Sequence, residues 1–190
     1  MIVLASGSPR RTQLLTLLGI THEVDPAHVD ETPHPGEGPV PMAARLARAK
    51  AIEVAARHPG RDVLAADTVV VLDGTILGKP ASPAEAEQML GHLAGRQHRV
   101  VTAVAVARDD RVWERHDETR VWFRPLDPET IRDYVATGEP LDKAGAYGLQ
   151  GYGAVLVQRI EGDCFSVIGL PLRLVVDLLA EAGRPYRFTR

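Results

Sequence analysis

Cysteine is almost absent from this chain of 190 residues, in which Cys164 is the only one. An intramolecular disulfide is therefore excluded and a thiolate metal cluster lacks ligands, which leaves a buried thiol as the reading of Cys164. Lysine is nearly as scarce: Lys50, Lys79 and Lys143 stand against nineteen arginines. Arginine is thus the default surface cation, and positions that keep lysine are candidates for a compact point charge in place of a planar fork. No apolar run approaches the length that crosses a bilayer, and the first residues begin a strand without the basic start of a secretory signal. A net charge of -3 argues against bulk electrostatic binding of nucleic acid, so any polyanion bound should be small. Hydrophobic residues at 45% and charged residues at 25% exclude a disordered or fibrous class. The expectation is a cytoplasmic globular protein with a single domain over residues 1–190 and neither a membrane nor a nucleic-acid partner.

What the chain does contain starts at its N-terminus. Residues 1–5 form an apolar run that reads as a buried strand; Ser6-Gly7-Ser8-Pro9-Arg10-Arg11 follows, and then apolar residues at helical spacing. Ser8 is placed to cap that helix, and Pro9 takes its first position, where the missing N–H costs nothing. Leu14, Leu15, Leu17 and Leu18 form the predicted inner face, and Gly19 the stop. A strand entering a helix through a glycine turn aims unpaired N–H groups at one point, and here two hydroxyls and two guanidiniums join them. That is chemistry for a phosphate. The glycine spacings of a Walker A loop and of a dinucleotide fingerprint are both missing, and an ordinary turn with two solvated arginines would look the same locally.

Residues 20–24 read as a short strand and residues 25–41, rich in proline, glycine and acids, as a loop. Within it His28-Val29-Asp30-Glu31-Thr32 sets two carboxylates side by side, either solvated or brought to a cleft. His28 and His34 lack the spacing of a metal site. Residues 41–57 read as a helix, with Lys50 on the same face as Leu46 and Val54. Its ammonium points inward, either snorkelling or meeting an anion, and an isolated buried charge is expensive.

Residues 61–72 carry Asp67-Thr68 inside a run of valine, leucine and alanine. A carboxylate there meets a cation or caps a bend, and the first case suits a catalytic base. Asp73-Gly74 predicts a hairpin returning to Gly78-Lys79-Pro80, which would bring Lys79 towards Asp67. Ser82 and Glu85 form a capping box for a helix ending near Leu93. Residues 100–107 and 112–123 read as an antiparallel pair turning at Asp109-Asp110, with Trp113, Trp122 and Phe123 as packing residues. A helix follows Asp127-Pro128. Residues 138–151, glycine-rich, charged and aperiodic, form a loop of the kind that carries function. A strand over residues 154–160, a closing helix over 170–182 and a tail over 185–190 complete the chain. The sum is α/β: a mixed, partly antiparallel twisted sheet flanked by helices, in two lobes around a central cleft.

With these residues in view the sequence resembles the Maf family of nucleoside triphosphate pyrophosphatases over nearly its whole length. The resemblance rests on residues 6–11, Asp30-Glu31-Thr32-Pro33, Arg45-Leu46-Ala47 with Lys50-Ala51, Ala66-Asp67-Thr68-Val69-Val70, Gly78-Lys79-Pro80, residues 138–151 and Val167-Ile168-Gly169-Leu170-Pro171-Leu172. It implies an ITPase-like fold and hydrolysis of a nucleoside triphosphate to the monophosphate and pyrophosphate with a divalent cation, Mg²⁺ or Mn²⁺. By motif position Asp67 would be the proton acceptor; Ser6, Ser8, Arg11, Lys50 and Lys79 would hold phosphate; and Glu31 and Asp67 would hold the metal. Arg10, Thr68 and Gln150 match positions that mark the branch acting on dTTP and UTP, with CTP and modified uridine triphosphates as further candidates. Leu149 stands where isoleucine is commoner, and Phe165-Ser166-Val167 where many members have Ser-Asn-Val. The resemblance also admits a homodimer. Two other classes fit the same residues: a non-catalytic nucleotide-binding regulator of septum formation, and a nucleotidyltransferase.

Overall fold

Every residue of one ten-residue strand except Thr68 is buried, and this strand also has neighbours along both edges. In the computed structural model, which describes residues 1–188, the elements run β1 (Ile2–Leu4), α1 (Pro9–Leu17), β2 (His22–Val24), α2 (Pro39–Ala55), β3 (Val63–Leu72), β4 (Thr75–Leu77), α3 (Pro83–Leu93), β5 (Gln97–Arg108), β6 (Arg111–Phe123), α4 (Pro128–Ala136), β7 (Val157–Glu161), α5 (Cys164–Ile168) and α6 (Leu172–Glu181). The sheet order is β2-β1-β3-β5-β6-β7, with β4 paired to β3. β1 is parallel to β2 and β3, whereas β3 with β4 and β6 with β7 are antiparallel, so the sheet is mixed. A strand buried on both faces reads as a continuous apolar run, which is why Asp67 is conspicuous within β3.

The chain divides into two compact units. The first holds Met1–Asp67, Thr102–Asp117 and the segment from Gly169 onward; the second holds Thr68–Val101 and Glu118–Ile168. The first unit buries Val3 and Leu4 of β1, Leu14 and Leu15 of α1, and Leu46, Ala47, Ala51 and Val54 of α2. Its β1 is tied to the approach and start of β3 by Val3 N–H to Asp62 O at 2.9 Å and Ala5 N–H to Leu64 O at 2.8 Å. The second unit has its own core around Leu90, Leu93, Val121, Phe123, Tyr134 and Leu156.

Several local expectations need correction. Ser8 sits at the N-cap of α1, but its side chain makes no capping hydrogen bond. Leu17 is 68% exposed and Leu18 only partly buried, so the inner face of α1 is Leu14 and Leu15. Cys164 is exposed at the start of α5, a short helix that the sequence reading did not separate. Residues Tyr152–Leu156 form a 3-10 turn before β7, because the bend at Gly151 (φ +96°) turns that apolar run out of the extended conformation expected from residue 154. The expected tail lies partly outside the described residues, at positions 189 and 190.

Candidate active site

The first unit gathers five of the sequence-nominated residues, and each is placed by a local cause. Ser6 ends the buried β1 run, and its Oγ accepts hydrogen bonds from Ser8 N–H at 3.3 Å and Arg11 Nη1 at 2.9 Å. One turn into α1, Arg11 also donates through Nε to Gly169 O at 2.9 Å, so its guanidinium is held from both sides. That carbonyl assigns work to the Gly169-Leu170-Pro171 motif, which the sequence had marked without a role.

On α2, helical spacing puts Lys50 on the buried side with Leu46 and Val54, leaving it 9% exposed. Its Nζ lies 2.7 Å from Asp67 Oδ1 and 2.5 Å from Glu31 Oε1. The ammonium therefore meets anions and does not snorkel. Asp67 is 7% exposed, and burial pushes its carboxyl above the usual carboxylate range against the pull of Lys50 and Arg11. Burial likewise lowers the Arg11 guanidinium, opposed by the charges of Asp67 and Glu31, so the four groups share one electrostatic neighbourhood.

Two neighbouring carboxylates in the loop before α2 divide their tasks. Asp30 Oδ1 accepts Thr32 N–H at 2.9 Å, a turn-forming contact, while Glu31 reaches Lys50. Arg45 clamps the loop from α2 by paired 2.7 Å hydrogen bonds to Glu37 and one to Thr32 O at 3.2 Å. This fork holds the Glu37 carboxyl down at about 2. Arg45 was visible in the sequence only as part of a motif, and its role as loop anchor was missed.

The other nominated residues are divided between the two units. Arg10 and Ser8 are partly exposed beside Arg11 in the first unit. Thr68, Lys79 and Gln150 lie in the second: Thr68 partly buried in β3, Lys79 exposed past β4, and Gln150 partly buried in the glycine-rich loop. Gln150 Oε1 is buried without a hydrogen-bond partner among the described residues. His28 and His34 join no metal cluster, since among the described residues no group of three or more His, Cys, Asp or Glu could hold an ion. No helix among those residues is long and apolar enough to cross a membrane.

For a divalent cation the relevant observation is that Glu31 and Asp67 converge on a single cationic centre. Two hard oxygen donors suit Mg²⁺ or Mn²⁺, which bind through one or two carboxylates and complete their shell with water and substrate phosphates.

Comparison with known proteins finds relatives along nearly the whole chain. A protein from Symbiobacterium thermophilum named dTTP/UTP pyrophosphatase is 51% identical over 184 residues, covering 97% of this chain and 95% of its own. One of the same name from Moorella thermoacetica is 53% identical, covering 96% and 95%. The likeness to the solved Staphylococcus aureus Ham1 protein is slight, with a TM-score of 0.46 and 16% identity over 98% of this chain and 91% of that one. The family model described as Maf-like protein matches residues 1–182, and the chain belongs to the Maf family.

Proposed function

We propose that this chain is a nucleoside triphosphate pyrophosphatase that hydrolyses dTTP and UTP to the monophosphate and pyrophosphate. The observation that carries the reading is the buried Lys50–Asp67 pair with Glu31 on the same ammonium, in a chain about half identical to proteins named for that reaction. Water attacks the α-phosphorus and gives its proton to Asp67, while the bond from that phosphorus to the bridging oxygen breaks and pyrophosphate leaves. A carboxylate raised by burial is a better base than a solvated one at neutral pH. Lys50 and Arg11 supply positive charge to the phosphoryl oxygens, with the Ser6 and Ser8 hydroxyls and the N–H groups opening α1 as further donors. Because Ser6 and Gly169 fix Arg11 in advance, little reorganisation is left for the reaction itself.

A divalent cation held by Glu31 and Asp67 would neutralise charge developing on the triphosphate. Within the second unit, Thr68 and Gln150 take part in choosing the base. The Gln150 carboxamide offers one donor and one acceptor, the pattern that complements an oxygen and the adjacent N3–H of uracil or thymine. Purified protein should release pyrophosphate from dTTP and UTP, and more slowly from purine triphosphates. A nucleotide that binds without releasing pyrophosphate would overturn the reading in favour of a binding regulator.

A further inference from the structure

Residues 134–153 of the second unit fold around one carboxylate, that of Glu139. Its Oε1 accepts the Tyr134 hydroxyl at 3.0 Å and Gly153 N–H at 2.9 Å, and its Oε2 accepts Tyr152 N–H at 2.8 Å. Tyr134, 6% exposed on α4, in turn accepts Gly148 N–H at 3.2 Å. The chain is thus pinned just before and just after Gln150.

The glycines show how tight the clasp is. A Cβ on Gly151 would lie 2.5 Å from Glu139 Oε2, and one on Gly153 would lie 2.6 Å from the Tyr134 hydroxyl and 2.4 Å from Gly148 O. Only glycine lets the backbone approach this closely. At the crest of the pinned turn Gln150 keeps its Oε1 buried without a partner among the described residues. Such an acceptor costs free energy and persists only where the surrounding structure outweighs that cost; here the clasp fixes the backbone on both sides of it.

We propose that Glu139 is a positioning residue for nucleobase recognition: through Tyr134 and the Tyr152 and Gly153 amides it holds the turn that presents Gln150 to the base. The proposal rests on the pyrophosphatase reading and adds a residue to it. A carboxylate is required because three donors converge on its two oxygens; the Glu139→Gln amide would turn its NH₂ towards one of them.

The test is a double-mutant cycle on dTTP hydrolysis with wild type, Glu139→Ala, Gln150→Ala and the double variant. Glu139→Ala should raise KM at least ~10-fold with kcat within about 3-fold, as expected for a lost binding contact. In the Gln150→Ala background the same change should move KM by less than about 2-fold, because its route of action is gone. Should Glu139→Ala fail to fold, Tyr134→Phe, which removes only the hydroxyl, should raise KM about 3-fold and lose that effect in the Gln150→Ala background. An equal rise in KM with or without Gln150, an unchanged KM, or a loss confined to kcat would overturn the proposal while leaving the reaction intact. Failure of wild type to release pyrophosphate from dTTP would overturn both.

Discussion

Lys50 Nζ lies 2.7 Å from Asp67 Oδ1, and both residues are more than nine-tenths buried. The carboxylate proposed as proton acceptor is thus held by the cation that would also face the triphosphate. Asp67→Asn should therefore lower kcat at least ~100-fold, the contribution of a positioned base, while dTTP binding measured calorimetrically stays within a few-fold of wild type. Glu31 still faces the ammonium, so the loss of stability should not exceed about 3 kcal/mol. Residual turnover above a tenth of wild type would remove Asp67 from the mechanism.

The reverse truncation should be worse for the fold. Lys50→Met leaves Asp67 buried beside Glu31 with its direct cation gone, at a cost of about 3–5 kcal/mol in urea unfolding. The double variant with Asp67→Asn should recover part of that loss, because the buried carboxylate is gone and the charge left behind, Glu31, is half exposed to solvent. Lys50→Arg should restore neither stability nor turnover, since a planar fork cannot occupy the point shared by two carboxylates. Full activity in Lys50→Arg would refute the claim that a compact charge is needed there.

The sequence made the core of this site legible because its signals are local. Lys50 was placed inward by the four-residue spacing from Leu46 and to Val54, Asp67 stood out within an apolar run, and Asp73-Gly74 fixed the hairpin of β3 and β4. Other features depend on partners far along the chain, and nothing in a local window points to them. Arg11 meets a carbonyl 158 residues away, and Asp62 is satisfied by arginines 46 and 122 residues away. Glu139 sits in a loop without periodicity, where only the folded turn reveals three donors on one carboxylate. Leu17 was misread because a nine-residue helix has room for a narrower buried stripe than its leucines suggested.

Stability should also depend on pH through a residue outside the proposed chemistry. His98 is 2% exposed, with its ring edge-on to Phe123 and Tyr147 and its Nε2 2.8 Å from the Tyr147 hydroxyl. Burial lowers its pKa from 6.5 to about 4, so the fold favours the neutral ring. This stability is present in full above pH 6.5 and is lost as pH falls towards 4, because over that window the unfolded chain binds the extra proton. The loss is about 3 kcal/mol. Urea midpoints measured from pH 7 to 4 should fall less steeply for His98→Gln than for wild type, and parallel curves would exclude His98 as the origin.

Asp62, with no exposed surface, offers the sharpest test of how the first unit is held together. Arg108 donates to Oδ1 through both Nε and Nη2 and also reaches Ala182 O at 2.9 Å, whereas Arg184 donates only to Oδ2, at 2.5 Å. The carboxylate is thus tied at the approach to β3, the end of β5 and the end of α6. Arg108→Leu strands one oxygen of a buried charge and frees a helix-terminal carbonyl, and should cost about 3 kcal/mol. Arg184 is nearly half exposed, and Arg184→Leu should cost closer to 1 kcal/mol, since Arg108 still neutralises the charge. The order of the two urea midpoints decides the matter. If Arg184→Leu is the more damaging, Asp62 is held chiefly from the C-terminal segment, and the β5 contact is secondary.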